Sequence, residues 1–211
     1  MKKQCYEFKL YKLPYEFNAL EPHIDARTME LHHNRHLAAY TSKLNAALKP
    51  YPELHHWSLE RLLCNINNLP VRLRTDIRNN AGGVYNHIYY FEGLRPSSGE
   101  AQIPRGLLGK KIDRCFGSFE QFRERFKECA IELFGSGYLW LVADKRGSLR
   151  IVSTCNQDSP ITKGLVPIMT LDLWEHSYYL KHYNDRANYV DDWFAVLNAE
   201  FAERNYYCCV N

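Results

Sequence analysis

No long hydrophobic run occurs in these 211 residues. The longest apolar stretch, Tyr138 to Ala143, is far below the roughly 20 residues that a membrane-spanning helix needs. Met1-Lys2-Lys3 is basic, but Gln4-Cys5-Tyr6-Glu7-Phe8-Lys9 is not the apolar core of a signal peptide. Neither internal repeats nor low-complexity tracts are present, which excludes solenoid and collagen-like architectures. Charge of neither sign dominates: 27 Lys+Arg against 24 Asp+Glu give a formal +3, so composition does not point to nucleic acid as a partner. No two cysteines stand in a CxxC pair, and seven is an odd number, which does not suit a secreted disulfide framework. Reduced thiols, some buried as small hydrophobes, are expected, together with a cytoplasmic location and no membrane partner. What remains is an ordinary globular composition, 45% hydrophobic and 24% charged, with an excess of aromatics (14%) and nine histidines. The length suffices for one larger or two smaller cored domains.

Periodicity divides the chain. Leu13-Pro14-Tyr15 to Pro22 reads as an irregular lead-in. Asp25 suits the N-cap of a helix running to about Leu48, where Lys49-Pro50-Tyr51-Pro52 ends it. Further helices are predicted over Ser58 to Leu63 and Arg72 to Leu94. The turn-rich Arg95-Pro96-Ser97-Ser98-Gly99 marks a boundary between domains 1–95 and 96–211. Beyond it, Phe119, Phe122, Phe126, Ala130 and Leu133 share one side of a helix over 119–134. Strands follow at Tyr138 to Asp144, Ser148 to Thr154 and Pro167 to Leu171, with a turn at Lys145-Arg146-Gly147. Helices from Trp174 to Tyr183 and Tyr189 to Asn205 close the chain. The predicted class is α+β: an N-terminal helical hairpin domain, then an α/β domain with a three-stranded antiparallel sheet.

Three clusters carry chemistry. His32, His36 and Tyr40 are spaced i, i+4, i+8 and share a helix face. His87 sits in an aromatic helical stretch, where a buried imidazole needs a partner for each ring nitrogen. Asp172 ends an apolar strand and His176 follows four residues later; a buried carboxylate is costly unless paired or bound to a cation. Each has a plain structural reading taken alone. Together they suggest one His₃Asp site, whose donors favour Mn or Fe over a thiolate-bound zinc.

The segments LPYEFNALEPHIDARTMELHHNRH, NNAGG with Asn86-His87, FGSG with LWLV, STCNQDSP and PIMTLDLWEHSYYLKHYNDR carry a resemblance. In this order they are similar to the iron/manganese superoxide dismutase family, from about residue 10 to about residue 207. The resemblance implies metal ligands His32, His87, Asp172 and His176. It implies one Mn (2+/3+) per subunit, with Fe possible, and superoxide as substrate, converted to O₂ and H₂O₂. Gln157 matches the glutamine that bonds to the metal's solvent ligand. The iron-type branch carries it four residues before the second histidine, where this chain has Gly83, so the pattern is manganese-type. Tyr40 and His36 match the gateway pair of the substrate funnel. Glu175 and Tyr179 match residues that bridge a homodimer, with a tetramer also open. Arg35 and Arg186 are candidates for drawing in the anion.

Some positions depart from the pattern. Phe91 and Tyr138 stand where tryptophan is usual, Thr170 stands where glycine is common, and Cys155, two residues before Gln157, is expected to pack, with oxidation of its thiol as the alternative. Two other readings use the same residues. Glu30 with His33 and Glu53 with His56 form two Glu-x-x-His pairs that suit a di-iron bundle, although Pro50 and Pro52 and the α+β half weigh against it. A scaffold that kept the fold without the activity is the other.

Overall fold

A computed structural model describes residues 4–97, 99 and 102–210. Met1-Lys2-Lys3 of the basic start and Ser98 of the boundary turn lie outside the described residues.

Asp25 caps the first long helix as expected, its carboxylate accepting from the Thr28 backbone N–H and hydroxyl. That helix is continuous over residues 26–48. It is built from Ala26–Leu31, a π-helical stretch His32–Leu37 and Ala38–Leu48. The second long helix covers residues 71–92 and repeats the plan, with Val71–Asp76, a π-helical Ile77–Ala81 and Gly82–Glu92. Residues 82–91 are buried on every side, so this helix forms the core rather than covering it. Ser58 caps the short Leu59–Cys64 helix between them.

Beyond the boundary lies a three-stranded antiparallel sheet in the order β2-β1-β3. Its strands are β1 (Gly137–Ala143), β2 (Leu149–Cys155) and β3 (Val166–Asp172). β1 is central and wholly buried; β2 is an edge. Asp144 closes the β1–β2 hairpin by accepting from the Arg146 and Ser148 backbone N–H groups. Helices Phe119–Glu132 and Arg186–Ala195 pack together through stacked Phe126 and Trp193 rings, 5.3 Å apart.

Four local expectations are corrected. A helix at Leu107–Phe116 was not predicted. The predicted helix over Tyr189 to Asn205 is two helices, Arg186–Ala195 and Ala199–Val210. Between them Leu197 forms a bridge with Leu94, and Asn198 donates its backbone N–H to Gly93 and accepts from Phe201. The segment Trp174 to Tyr183 is not one helix but a 3₁₀ turn, Glu175–Ser177, and a single α-turn, Tyr179–His182. None of the seven cysteines is buried or bonded to another, and Cys155 is exposed rather than packed. No helix of the described residues is long and apolar enough to cross a membrane.

Candidate metal centre

Four side chains from four elements converge where the halves meet. His32 opens the π-helical stretch of the first long helix, and His87 lies in the second. Asp172 ends β3, and His176 sits in the 3₁₀ turn that follows. One ligand atom from each lies within 4.8 Å of the others. His32, His87 and Asp172 are fully buried. His32 Nε2, His87 Nε2, Asp172 Oδ2 and His176 Nε2 are buried with no hydrogen-bond partner among the described residues. His32 Nε2 and His176 Nε2 stand 3.2 and 3.7 Å from Asp172 Oδ2 without bonding to it. Each orphaned polar atom costs about 1–3 kcal/mol if nothing satisfies it. A cation among the four satisfies all of them, so the donor set fits a Mn or Fe ion.

Neighbours leave those atoms free. His87 Nδ1–H donates to the Gly83 carbonyl at 2.7 Å, which keeps the lone pair on Nε2. The Trp174 backbone N–H donates to Asp172 Oδ1 at 2.8 Å, leaving Oδ2 to face the histidines. The Asp172 carbonyl accepts from the Ser177 and Tyr189 hydroxyls, both at 2.9 Å. Burial holds all three imidazoles neutral, as ligation requires. His32 is well below its ordinary value; His87 is lowered to about 3 and His176 to about 2, with the charge of His32 as the next cause for both.

A second layer surrounds the donors. The buried Gln157 donates from Nε2 to the Tyr40 hydroxyl at 3.1 Å. Asn86 donates to the Gln157 carbonyl at 3.1 Å. Gly82 and Gly83 make this approach possible. A Cβ at Gly82 would stand 2.2 Å from the Gln157 carbonyl oxygen, and one at Gly83 would stand 2.5 Å from the Tyr40 ring. His36 stacks on His176 with ring centroids 3.8 Å apart. Burial raises the Tyr40 hydroxyl, and it stays protonated at neutral pH.

The structure thus gathers His32, His87, Asp172 and His176, with His36, Tyr40 and Gln157 beside them. Glu175 and Tyr179 are exposed. Arg186 is tied down, donating to the Leu133 carbonyl at 2.5 Å and to the Tyr178 hydroxyl. Phe91 meets His32 edge-on at 4.9 Å, and the Tyr138 hydroxyl lies 3.3 Å from His87 Nδ1, so both departures keep an aromatic wall. Thr170 bonds across the sheet to the Leu139 carbonyl rather than toward the donors. Asn86, Ser177 and Tyr189 were not singled out from the sequence. Only Asn86 left a signal there, as a polar residue in an apolar helix beside a candidate ligand. Among the described residues no second cluster of three or more His, Cys, Asp or Glu gathers, and Glu53 and His56 are exposed. The di-iron reading therefore fails.

Comparison with known proteins agrees with this geometry. The family model for the iron/manganese superoxide dismutase alpha-hairpin domain matches residues 7–95, and that for the C-terminal domain matches residues 104–205. A manganese superoxide dismutase from Thermus aquaticus is 47% identical over 201 residues, 95% of this chain and 98% of the relative. One from Thermus thermophilus is 48% identical over 198 residues, covering 94% and 96%. Manganese superoxide dismutase 1 of Leptolyngbya boryana is 44% identical over 200 residues, covering 94% and 80%. With both halves matched and four buried donors facing one point, the chain belongs to the iron/manganese superoxide dismutase family.

Proposed function

We propose that this chain disproportionates superoxide to O₂ and H₂O₂ with one Mn ion per subunit, held by His32, His87, Asp172 and His176. The observation that carries this is the convergence of four buried, unpartnered donor atoms within 4.8 Å. When bound, the metal supplies one-electron exchange between its 2+ and 3+ states. The residues around it do the rest. Three neutral imidazoles and one carboxylate hold the ion. His87 is oriented by Gly83, and Asp172 by the Trp174 N–H and Tyr189. Gln157 is the tuning residue, since its amide is fixed by Tyr40 on one side and Asn86 on the other. Tyr40 is the proton-carrying residue, with a half-buried hydroxyl bonded to that amide. His36, half-buried and stacked on His176, lines the approach with it. Manganese is favoured over iron because the glutamine comes from the segment after β2, and Gly83 stands where the iron-type branch carries it on the second helix.

The remaining assignments are of the same kind. Glu175 and the exposed Tyr179 are the contacts of a homodimer, supported by the adjacent exposed Leu180 and Tyr183. The unit boundary falls at 95/96, supported by the hairpin model's end at residue 95. The compartment is the cytoplasm, supported by seven unpaired thiols.

Substitution tests the ligand set. Asp172→Ala and His176→Ala are expected to lose both bound metal and superoxide-scavenging activity, by elemental analysis and rate assay. Full metal and full activity in either variant overturns the assignment.

A further inference from the structure

A cleft of about 470 Å³ opens at the edge of the sheet, lined by the end of β2 and the segment that follows it. Gln157 belongs to both this cleft and the metal centre: it lines the cleft and bonds to Tyr40. Cys155, at the end of β2, lines the same cleft and is exposed. Opposite it the cleft is basic. Arg78 is paired with Asp158. Arg74 donates from Nε to the Leu69 carbonyl and from Nη2 to the Asn67 carbonyl, and makes no ion pair among the described residues. Lys163 has no ion pair among the described residues. A separate observation points to a ligand. Ser159 lines the cleft and is only 2% exposed, yet its Oγ has no partner among the described residues. Two uncompensated cations, a waiting hydroxyl and an accessible thiol suit a small carboxylate-bearing molecule that also carries sulfur.

We infer that Cys155 is a redox-modification site, at which peroxide oxidises the thiol and an anionic low-molecular-weight thiol of the glutathione class, seated in the basic cleft, caps it. The source of peroxide rests on the proposed dismutase activity; the cleft chemistry does not. In the first step the Cys155 thiolate attacks one peroxide oxygen. The O–O bond breaks, an S–O bond forms, sulfur loses two electrons, and hydroxide leaves and takes up a proton as water. In the second step the incoming thiolate attacks the sulfenic sulfur. An S–S bond forms, the S–O bond breaks, and the oxygen leaves as water with the proton of the incoming thiol. Arg74, Lys163 and the Ser159 hydroxyl hold the carboxylates of the capping molecule while this happens.

The test treats the metal-loaded protein with hydrogen peroxide and glutathione, and in parallel with hydrogen peroxide and cysteamine, a cationic thiol. Adducts are located by peptide mass mapping over time. Glutathione is expected to cap Cys155 about tenfold faster than it caps exposed Cys5, Cys64, Cys115 or Cys208, through local charge attraction. Lys163→Glu is expected to slow glutathione capping several-fold and leave cysteamine capping unslowed. Adducts spread evenly over the exposed cysteines overturn the inference, as does equal capping of Cys155 by both thiols. Because peroxide is added, neither result depends on the chain producing it. Superoxide scavenging by the same samples, and by Cys155→Ser, reports separately on the proposed function.

Discussion

At the residue scale the centre works by withholding partners. Gly83 takes the Nδ1 proton of His87, and the Trp174 N–H takes one oxygen of Asp172, so that the remaining lone pairs face one another. Burial keeps the imidazoles neutral, and this links metal binding to acidity. His87 sits at about 3 in the folded chain against an ordinary 6.5. Between those values the unfolded chain binds the proton and the folded chain does not. Stability of metal-free protein is therefore expected to fall as pH drops from about 6.5 toward 3, by about 1.4 kcal/mol per pH unit for this group. Urea midpoints across that range measure it, and a flat profile contradicts it. Tyr40→Phe removes the acceptor of the Gln157 amide. One lost hydrogen bond of about 1 kcal/mol corresponds to a roughly fivefold fall in turnover, with metal content unchanged. Gly83→Ala drives a Cβ to within 2.5 Å of the Tyr40 ring. It is expected to cost about 1–3 kcal/mol in denaturation and to lower activity by displacing Tyr40. The convergence of His32, His87, Asp172 and His176 was legible because each sits in a distinctive local string. Asn86 and Tyr189 were less so, since their partners lie 71 and 17 residues away.

At the scale of elements, both long helices pass through π-helical turns next to the site. Such turns are frequent at functional sites, but nothing in the residue pattern of His32–Leu37 or Ile77–Ala81 announces them. The long apolar patterns were readable because their burial repeats locally. Helix Leu107–Phe116 was not, because its cap is remote. Gly106 offers no side chain, and the carboxylate of Glu203 accepts from the backbone N–H groups of Gly106, Leu108 and Gly109. Glu203→Ala is expected to destabilise the fold by about 1–2 kcal/mol while leaving metal content intact. Chemical denaturation with parallel metal analysis checks both parts. Conversely, the expected single helix over 174–183 is broken into a 3₁₀ turn and one α-turn. The turn that carries His176 is not α-helical, as the Ser177 hydroxyl donates to the Asp172 and Trp174 carbonyls instead.

At the scale of the whole molecule, neither half holds a site alone. The helical hairpin supplies His32 and His87, and the α+β half supplies Asp172, His176 and Gln157. The halves are fastened by the Leu94–Leu197 bridge and the Asn198 bond to Gly93. The class and the two-part plan were readable from periodicity. The fastening was not, because it pairs residues about a hundred positions apart. If the four donors form one redox site, metal and activity rise together. Metal-stripped protein is therefore titrated with Mn²⁺ while the rate of superoxide decay is followed. Decay is expected to accelerate in proportion to bound Mn and to stop rising at one ion per chain. Binding of one ion per chain with decay no faster than in its absence contradicts the assignment.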